Sequence, residues 1–84
     1  MKQIATAGNT AVPALLSLES LGFTVTVEKG EAGELFRAAR AAETFIGEDP
    51  VAVLGLVKLI ETRGWEWQAS DGEIDRILRR YRLE

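Results

Sequence analysis

Residues 34–46 read ELFRAARAAETFI, and the structure of this stretch decides the fold of the 84-residue chain. On a helical wheel its apolar residues share one arc, which holds Leu35, Ala38, Ala39, Ala42, Phe45 and Ile46. That periodicity and the alanine content favour a helix. The alternative is a β-hairpin with strands at 34–39 and 42–47 that turns at Arg40 and Ala41. Neither turn residue adopts a positive φ as readily as glycine or asparagine does.

The segment just before this stretch favours the hairpin instead. Residues 23–28 (FTVTVE) alternate apolar and polar side chains and are rich in β-branched residues, which is typical of a strand. A lone strand or a bare two-stranded ribbon is marginally stable in water, so this strand needs neighbours. The local signals of 34–46 therefore indicate a helix, while the need for a sheet indicates a hairpin.

The chain before residue 23 predicts a short strand and a helix. Residues 2–7 (KQIATA) are compatible with a strand. Thr10 is a candidate N-cap for a helix whose apolar residues continue to Leu21. Gly22 then offers the left-handed conformation that ends many helices.

The last third of the chain predicts two helices. Asp49 is a candidate N-cap with Pro50 at the first helical position, and Gly64 ends that helix after Arg63. Ser70 and Glu73 have the spacing of a capping box. The residues that follow place apolar side chains at i, i+3, i+4 and i+7, namely Ile74, Ile77, Leu78 and Tyr81.

The same region resembles a group of small bacterial single-domain proteins. The resemblance covers roughly residues 33–80. It lies in Glu48-Asp49-Pro50, Leu54-Gly55-Leu56, Arg63-Gly64, Trp67 and Ser70-Asp71. It implies a hairpin before Glu48, because that stretch is more strand-like in such relatives and has better turn residues. It implies no activity, so no functional residue is carried over.

We therefore predict a single α+β domain over residues 1–84. A small antiparallel sheet of about three strands packs against two to three helices. In this arrangement the last two helices lie on the sheet.

Composition disfavours most chemistries. The chain has no cysteine and no histidine, which excludes disulfides, zinc knuckles, thiol nucleophiles and the usual general base. The adjacent acids Glu48 and Asp49 have neither the spacing of a calcium loop nor that of a facing catalytic pair. We therefore expect no enzymatic activity, no cofactor and no metal.

The sequence also predicts a cytoplasmic location. No apolar run approaches the ~18 residues of a transmembrane helix, and Met1-Lys2-Gln3 does not begin a signal peptide. Membrane partners are not expected.

The net charge of −3 is distributed unevenly. Residues 43–75 carry eight acidic and two basic residues, a net charge of −6, whereas residues 76–84 carry +3. The basic end holds the candidate nucleic-acid contacts Arg76, Arg79, Arg80 and Arg82, which follow two tryptophans. The acidic segment would repel a phosphate backbone, so nucleic-acid binding is the less favoured interpretation.

The favoured interpretation rests on the helix predicted for 50–63, which is apolar on almost every side. One arc holds the expected core residues Val53, Leu56, Val57 and Ile60. The opposite side carries the candidate protein interface, formed by Val51, Leu54, Lys58 and Glu61. Such a helix is either covered on both sides within one monomer or bound to a partner, and Gly55 would allow close approach of another backbone.

The predicted function is accordingly a non-enzymatic, small protein-interaction module. Its partner is another protein or a second copy of the chain in a homodimer. Roles as an inhibitor, an immunity protein, an antitoxin-like protein or a phage-encoded modulator all suit a small acidic domain.

Overall fold

The computed structural model describes residues 1–83, which form three helices and three strands. In chain order these are α1 (Ala11–Ser20), β1 (Thr24–Gly30), β2 (Gly33–Arg40), β3 (Glu43–Gly47), α2 (Pro50–Arg63) and α3 (Asp71–Tyr81). A 3-10 turn at Gly8–Thr10 precedes α1. The predicted α+β class with a three-stranded antiparallel sheet is confirmed.

Residues 34–47 form the predicted hairpin rather than a helix. The strand order is β1-β2-β3, with Val25, Ala38 and Phe45 side by side in register. The connection between β2 and β3 is formed by Ala41 and Ala42, one residue later than expected. Ala41 has a φ of 52°, so the turn does demand the positive φ that its sequence disfavours.

One face of the sheet is covered by α1 and α2, and the core lies between them. Its buried residues are Leu18, Phe23, Ala38, Phe45, Val53 and Val57. The rings of Phe23 and Phe45 meet edge to face with centroids 5.6 Å apart. The Arg40 guanidinium lies 4.2 Å from the Phe23 ring centroid and donates a 2.7 Å hydrogen bond to the Leu21 carbonyl. It thereby ties the end of α1 to the sheet.

The end of α1 is fixed by a Schellman motif. Gly22 has a φ of 92°, and its N–H donates to the Glu19 carbonyl at 2.9 Å. The Phe23 N–H donates to the Leu18 carbonyl at 3.0 Å. Leu18 and Phe23 are both buried, so the motif that ends the helix also delivers β1 to the core.

Two expectations for residues 2–10 are wrong, whereas the helix that follows these residues forms as predicted. Residues 2–7 are not a strand, and Ile4 is 87% exposed. Thr10 precedes α1 but makes no cap hydrogen bond; its hydroxyl donates to the Ala7 carbonyl at 2.6 Å instead. Residues 3–7 instead line a groove beside α1 and α2.

The ends of α2 form as predicted. The Asp49 side chain accepts a 2.8 Å hydrogen bond from the Ala52 N–H, and Pro50 occupies the first turn. Gly64 has a φ of 79° and its N–H donates to the Ile60 carbonyl at 2.7 Å.

The orientation of α2 differs from the prediction. Val53 and Val57 face the core as expected, but Leu56 is 36% exposed. Leu54, expected on the surface, is half-buried and packs against the core cluster. The helix is rotated so that its core face runs from Ile60 through Val53 and Val57 to Leu54.

Candidate protein-interaction surface

The helix α3 has well-satisfied ends. The Ser70 hydroxyl accepts from the Glu73 N–H at 3.2 Å, and the Glu73 carboxylate accepts from the Ser70 N–H at 2.9 Å, which completes the predicted capping box. At the other end the Leu83 N–H donates to the Leu78 carbonyl at 2.9 Å, with Arg82 in the left-handed conformation.

The apolar side of α3 does not pack on the core. This side, the α3 stripe, consists of Ile74, Ile77, Leu78 and Tyr81. Ile74 is 44% and Tyr81 60% exposed, while Ile77 and Leu78 are half-buried. No residue of Asp71–Tyr81 is buried, and none belongs to the core cluster or packs against it.

The expectation that both C-terminal helices lie on the sheet is therefore wrong for α3. The covered face of the sheet is occupied by α1 and α2. In the connection from Gly64 to Ser70, Trp65 stacks on the core residue Phe45. The sequence identified the stripe but assigned it to the core of the monomer.

Arg63, at the end of α2, connects the two C-terminal helices. Its Nε donates to the Trp67 carbonyl at 2.9 Å, and its guanidinium lies 3.4 Å from the Glu73 carboxylate. The pKa of Glu73 is lowered, first by the hydrogen bond from the Ser70 backbone N–H and second by the charge of Arg63. Through Arg63 the start of α3 is held, while Ile74 and Tyr81 of the stripe stay exposed.

Charge is polarised along α3. The acidic residues Asp71, Glu73 and Asp75 lie in its N-terminal half, and the basic residues Arg76, Arg79 and Arg80 in its C-terminal half. Arg82 follows directly. Asp75 and Arg79 form an ion pair at 3.1 Å. The distribution complements the helix dipole and leaves one end of the surface negative and the other positive.

The four residues predicted as a protein interface do not form one exposed patch. Val51 and Leu54 are half-buried and line a groove of about 740 Å³ between α1, α2 and residues 3–7. Lys58 and Glu61 are exposed and pair with each other at 3.6 Å. Because Leu54 packs on the core, this side of α2 is partly used within the monomer.

The predicted nucleic-acid contacts are distributed over several environments. Arg79 is paired with Asp75, and the Arg80 guanidinium lies 5.8 Å from the Tyr81 ring centroid. Trp65 stacks on Phe45 at 5.7 Å, which occupies one face of its indole. One face of the Trp65 indole is therefore not available for stacking on a base.

Residues 1–83 form neither a metal-binding cluster of acidic side chains nor a helix that could span a membrane. No group of three or more acidic side chains in this range could hold a metal ion. No helix formed by these residues is long and apolar enough to cross a membrane.

No family model, curated protein or solved structure matches the chain. The resemblance to small bacterial proteins stays an expectation. A function is therefore inferred from the surface itself, on which the α3 stripe is an apolar helix face that does not pack on the core of the monomer.

Proposed function

We propose that this chain is a non-enzymatic protein-interaction module that binds another protein chain through the α3 stripe. One observation carries the proposal: α3 is amphipathic and capped at its start, yet none of its apolar residues is fully buried or packs on the core, and Ile77 and Leu78 are only half-buried. Inhibitor, immunity, antitoxin-like and phage-encoded modulator roles, in the cytoplasm, are the settings that suit it.

The energetics of an isolated helix support a partner. Helices shorter than about 12–15 residues are marginal in water, and most helical stability in proteins comes from packing an apolar face. The 11 residues of α3 have caps, but their apolar side chains do not pack on the core. Apolar anchors at i, i+3, i+4 and i+7 are the pattern by which helices bind the grooves or helices of other proteins.

The chemistry of the chain supports a binding role over catalysis, without a cofactor or a metal. There is no histidine or cysteine to serve as a base or nucleophile. Glu73 has a lowered pKa because it caps a helix and faces Arg63, which is the opposite of the raised pKa that a carboxylic general acid needs.

The proposal is tested by affinity capture with the wild-type chain and two double variants. Ile77→Asp/Leu78→Asp places charges in the α3 stripe. Val12→Asp/Leu16→Asp places the same charges on α1, where both side chains are exposed. Purified chains are compared by circular dichroism first, so that only folded proteins are used.

We expect at least one protein to be retained by the wild type and by the α1 variant and to be lost with the stripe variant. The retained protein is either a different protein or an untagged copy of this chain. Equal retention by all three chains would overturn the proposal. So would the absence of any specifically retained protein.

The alternative function is nucleic-acid binding, which the arginines of α3 favour and the acidic half of the same helix disfavours. A mobility-shift assay over a range of salt concentrations separates the two, because phosphate contacts give a steep negative salt dependence. We expect no micromolar binding of duplex DNA or RNA near physiological salt. Micromolar binding that is lost in the folded variant Arg79→Glu/Arg80→Glu would replace the protein-interaction proposal.

A further inference from the structure

We infer that the partner of the α3 stripe is a second copy of the same chain, paired so that the two α3 helices run antiparallel about a two-fold axis. The inference rests on the proposed function and names its partner. It starts from the charge distribution along α3, which is self-complementary in only one of the two ways that identical helices can pair.

In an antiparallel pair, the acidic half of each α3 lies beside the basic half of the other. In a parallel pair, acidic residues would meet acidic residues and arginines would meet arginines, which is destabilising. A closed two-fold dimer uses the same patch on both copies, and α3 meets that requirement with a single helix.

The residue positions agree with this arrangement at about 100° per residue. Antiparallel stripes place Ile74 over Tyr81 of the second copy and Ile77 over Leu78 of the second copy. Glu73 and Arg80 flank the stripe on one side and Asp71 flanks it on the other, while Arg82 follows the last turn of the helix in the left-handed conformation. The two-fold axis places the same flank of each helix side by side, with the two helices running in opposite directions. Each flanking acidic residue therefore approaches an arginine of the second copy.

The exposed surface of the monomer is large enough for such a dimer. The chain has 6881 Å² of accessible surface, whereas a compact monomer of 9.2 kDa is expected to expose about 4,900 Å². The radius of gyration is 15.1 Å, against about 12 Å for a compact domain of this length. The excess includes the exposed residues 1–9 as well as α3, and a standard interface removes roughly 800 Å² from each partner.

The size of the surface also predicts a weak dimer. Eleven residues of helix are about 16 Å long, so two paired helices form an interface at the low end of the size range. We expect a reversible association that is populated at micromolar or higher concentrations and weakens as salt screens the flanking charges.

The first experiment measures mass against concentration by sedimentation velocity for the wild type and two single variants. Ile77→Asp should weaken the dimer by at least about tenfold, since it puts a charge at the centre of the interface. The matched control Leu16→Asp, on α1, should leave the dimer unchanged. A wild type that stays monomeric up to millimolar concentration would overturn the inference, as would a dimer that Ile77→Asp leaves intact.

The second experiment tests the antiparallel orientation with two charge variants that retain the stripe. Arg80→Glu/Arg82→Glu reverses two of the four arginines at the C-terminal end of α3, and Asp71→Lys/Asp75→Lys reverses two of the three acidic residues of its N-terminal half. Each variant alone should dimerise at least about tenfold more weakly than the wild type, and an equimolar mixture should form a heterodimer. If the mixture associates no better than either variant alone, antiparallel pairing through α3 is refuted.

Failure of the inference and failure of the proposed function give different results. A monomeric wild type whose stripe still retains a different protein in the capture experiment overturns the homodimer and leaves the interaction module standing. A monomeric wild type whose stripe variant retains the same proteins as the wild type overturns both.

Discussion

At the scale of single residues, Ala41 is the clearest conflict between sequence and backbone. Its φ of 52° lies in the left-handed region, which costs a non-glycine residue roughly 1–2 kcal/mol. Ala41→Gly should therefore stabilise the fold by about 1 kcal/mol, which is roughly 4–8 °C in melting midpoint for a domain of this size. Thermal unfolding followed by circular dichroism measures the change.

The neighbouring residue provides the control for that prediction. Ala42 is the other residue of the same turn, and among the described residues the positive φ values outside glycine are those of Ala41 and Arg82. Ala42→Gly should bring no gain, because it only adds freedom to the unfolded chain. Equal stabilisation by both variants would mean that the strain at Ala41 is not what limits the hairpin.

Ser70 should control the helicity of α3 more than the stability of the core. Its hydroxyl bonds the Glu73 N–H, and loss of such a cap costs about 1 kcal/mol of helix stability. Because α3 buries nothing on the core, Ser70→Ala should raise amide exchange in α3 and leave exchange in β2 and α2 unchanged. Ser17→Ala, an exposed serine within α1, is the control. Faster exchange throughout the core would contradict the independence of α3.

Glu73 should make the helix sensitive to acid. Its pKa is lowered in the folded state from an ordinary value near 4.5, so the contribution of its carboxylate is fully present above that value. The contribution is lost as the pH falls through the lowered pKa. NMR chemical shifts of α3 should therefore report fraying below about pH 4. Glu73→Gln keeps a side chain that can accept a hydrogen bond from the Ser70 N–H but does not titrate. Fraying of α3 in this variant should therefore depend less on pH than in the wild type. If both chains show the same dependence of fraying on pH, other carboxylates cause the effect.

At the scale of elements, the hairpin shows what could be predicted from the sequence. The local signals of residues 34–46 favour a helix, but these residues form a hairpin. One reason is that β1 needs a partner strand, and the other is that Ala38 and Phe45 are both buried when β2 and β3 pair. Burial at those two positions outweighs the helix propensity of the alanines and the strained turn. The sequence of residues 34–46 does not itself indicate this packing. It is indicated only by the neighbouring strand at residues 23–28, which needs a partner strand.

The rotation of α2 could not be predicted, and it leads to a direct test. A helix that is apolar on nearly every side gives no signal for which side meets the sheet. Leu54 packs against the core whereas Leu56 is exposed. Leu54→Lys should cost about 2 kcal/mol of folding free energy through lost packing, and Leu56→Lys under about 0.5 kcal/mol. Chemical denaturation of both variants measures this; the reverse order would mean that the helix is rotated as its sequence first suggested.

At the scale of the whole molecule, the position of α3 was the part that the sequence concealed. The spacing of Ile74, Ile77, Leu78 and Tyr81 correctly predicts an amphipathic helix, and the capping box correctly predicts its start. An amphipathic pattern predicts that the apolar face of the helix is buried. It does not predict whether the same chain or another chain buries it. The expected core arrangement failed because α1, preceded by an N-terminal segment outside the sheet, already shares the sheet face with α2.

Removal of α3 tests the division between a self-sufficient core and an added helix. The buried residues of the described chain all lie between Ala14 and Val57, and Trp65 is the last aromatic side chain that stacks on them. A chain that ends at residue 69 should therefore fold, and at dilute concentration it should melt within a few degrees of the full chain. Only folded chains form the dimer, so dimerisation stabilises the folded state more as the protein concentration rises. The melting midpoint of the full chain should therefore rise with concentration, and that of the shortened chain should not. Thermal melts of both chains over a range of concentrations measure both effects at once. A shortened chain that is unfolded at every concentration would show that α3 belongs to the core, and the accessible stripe would then need another explanation.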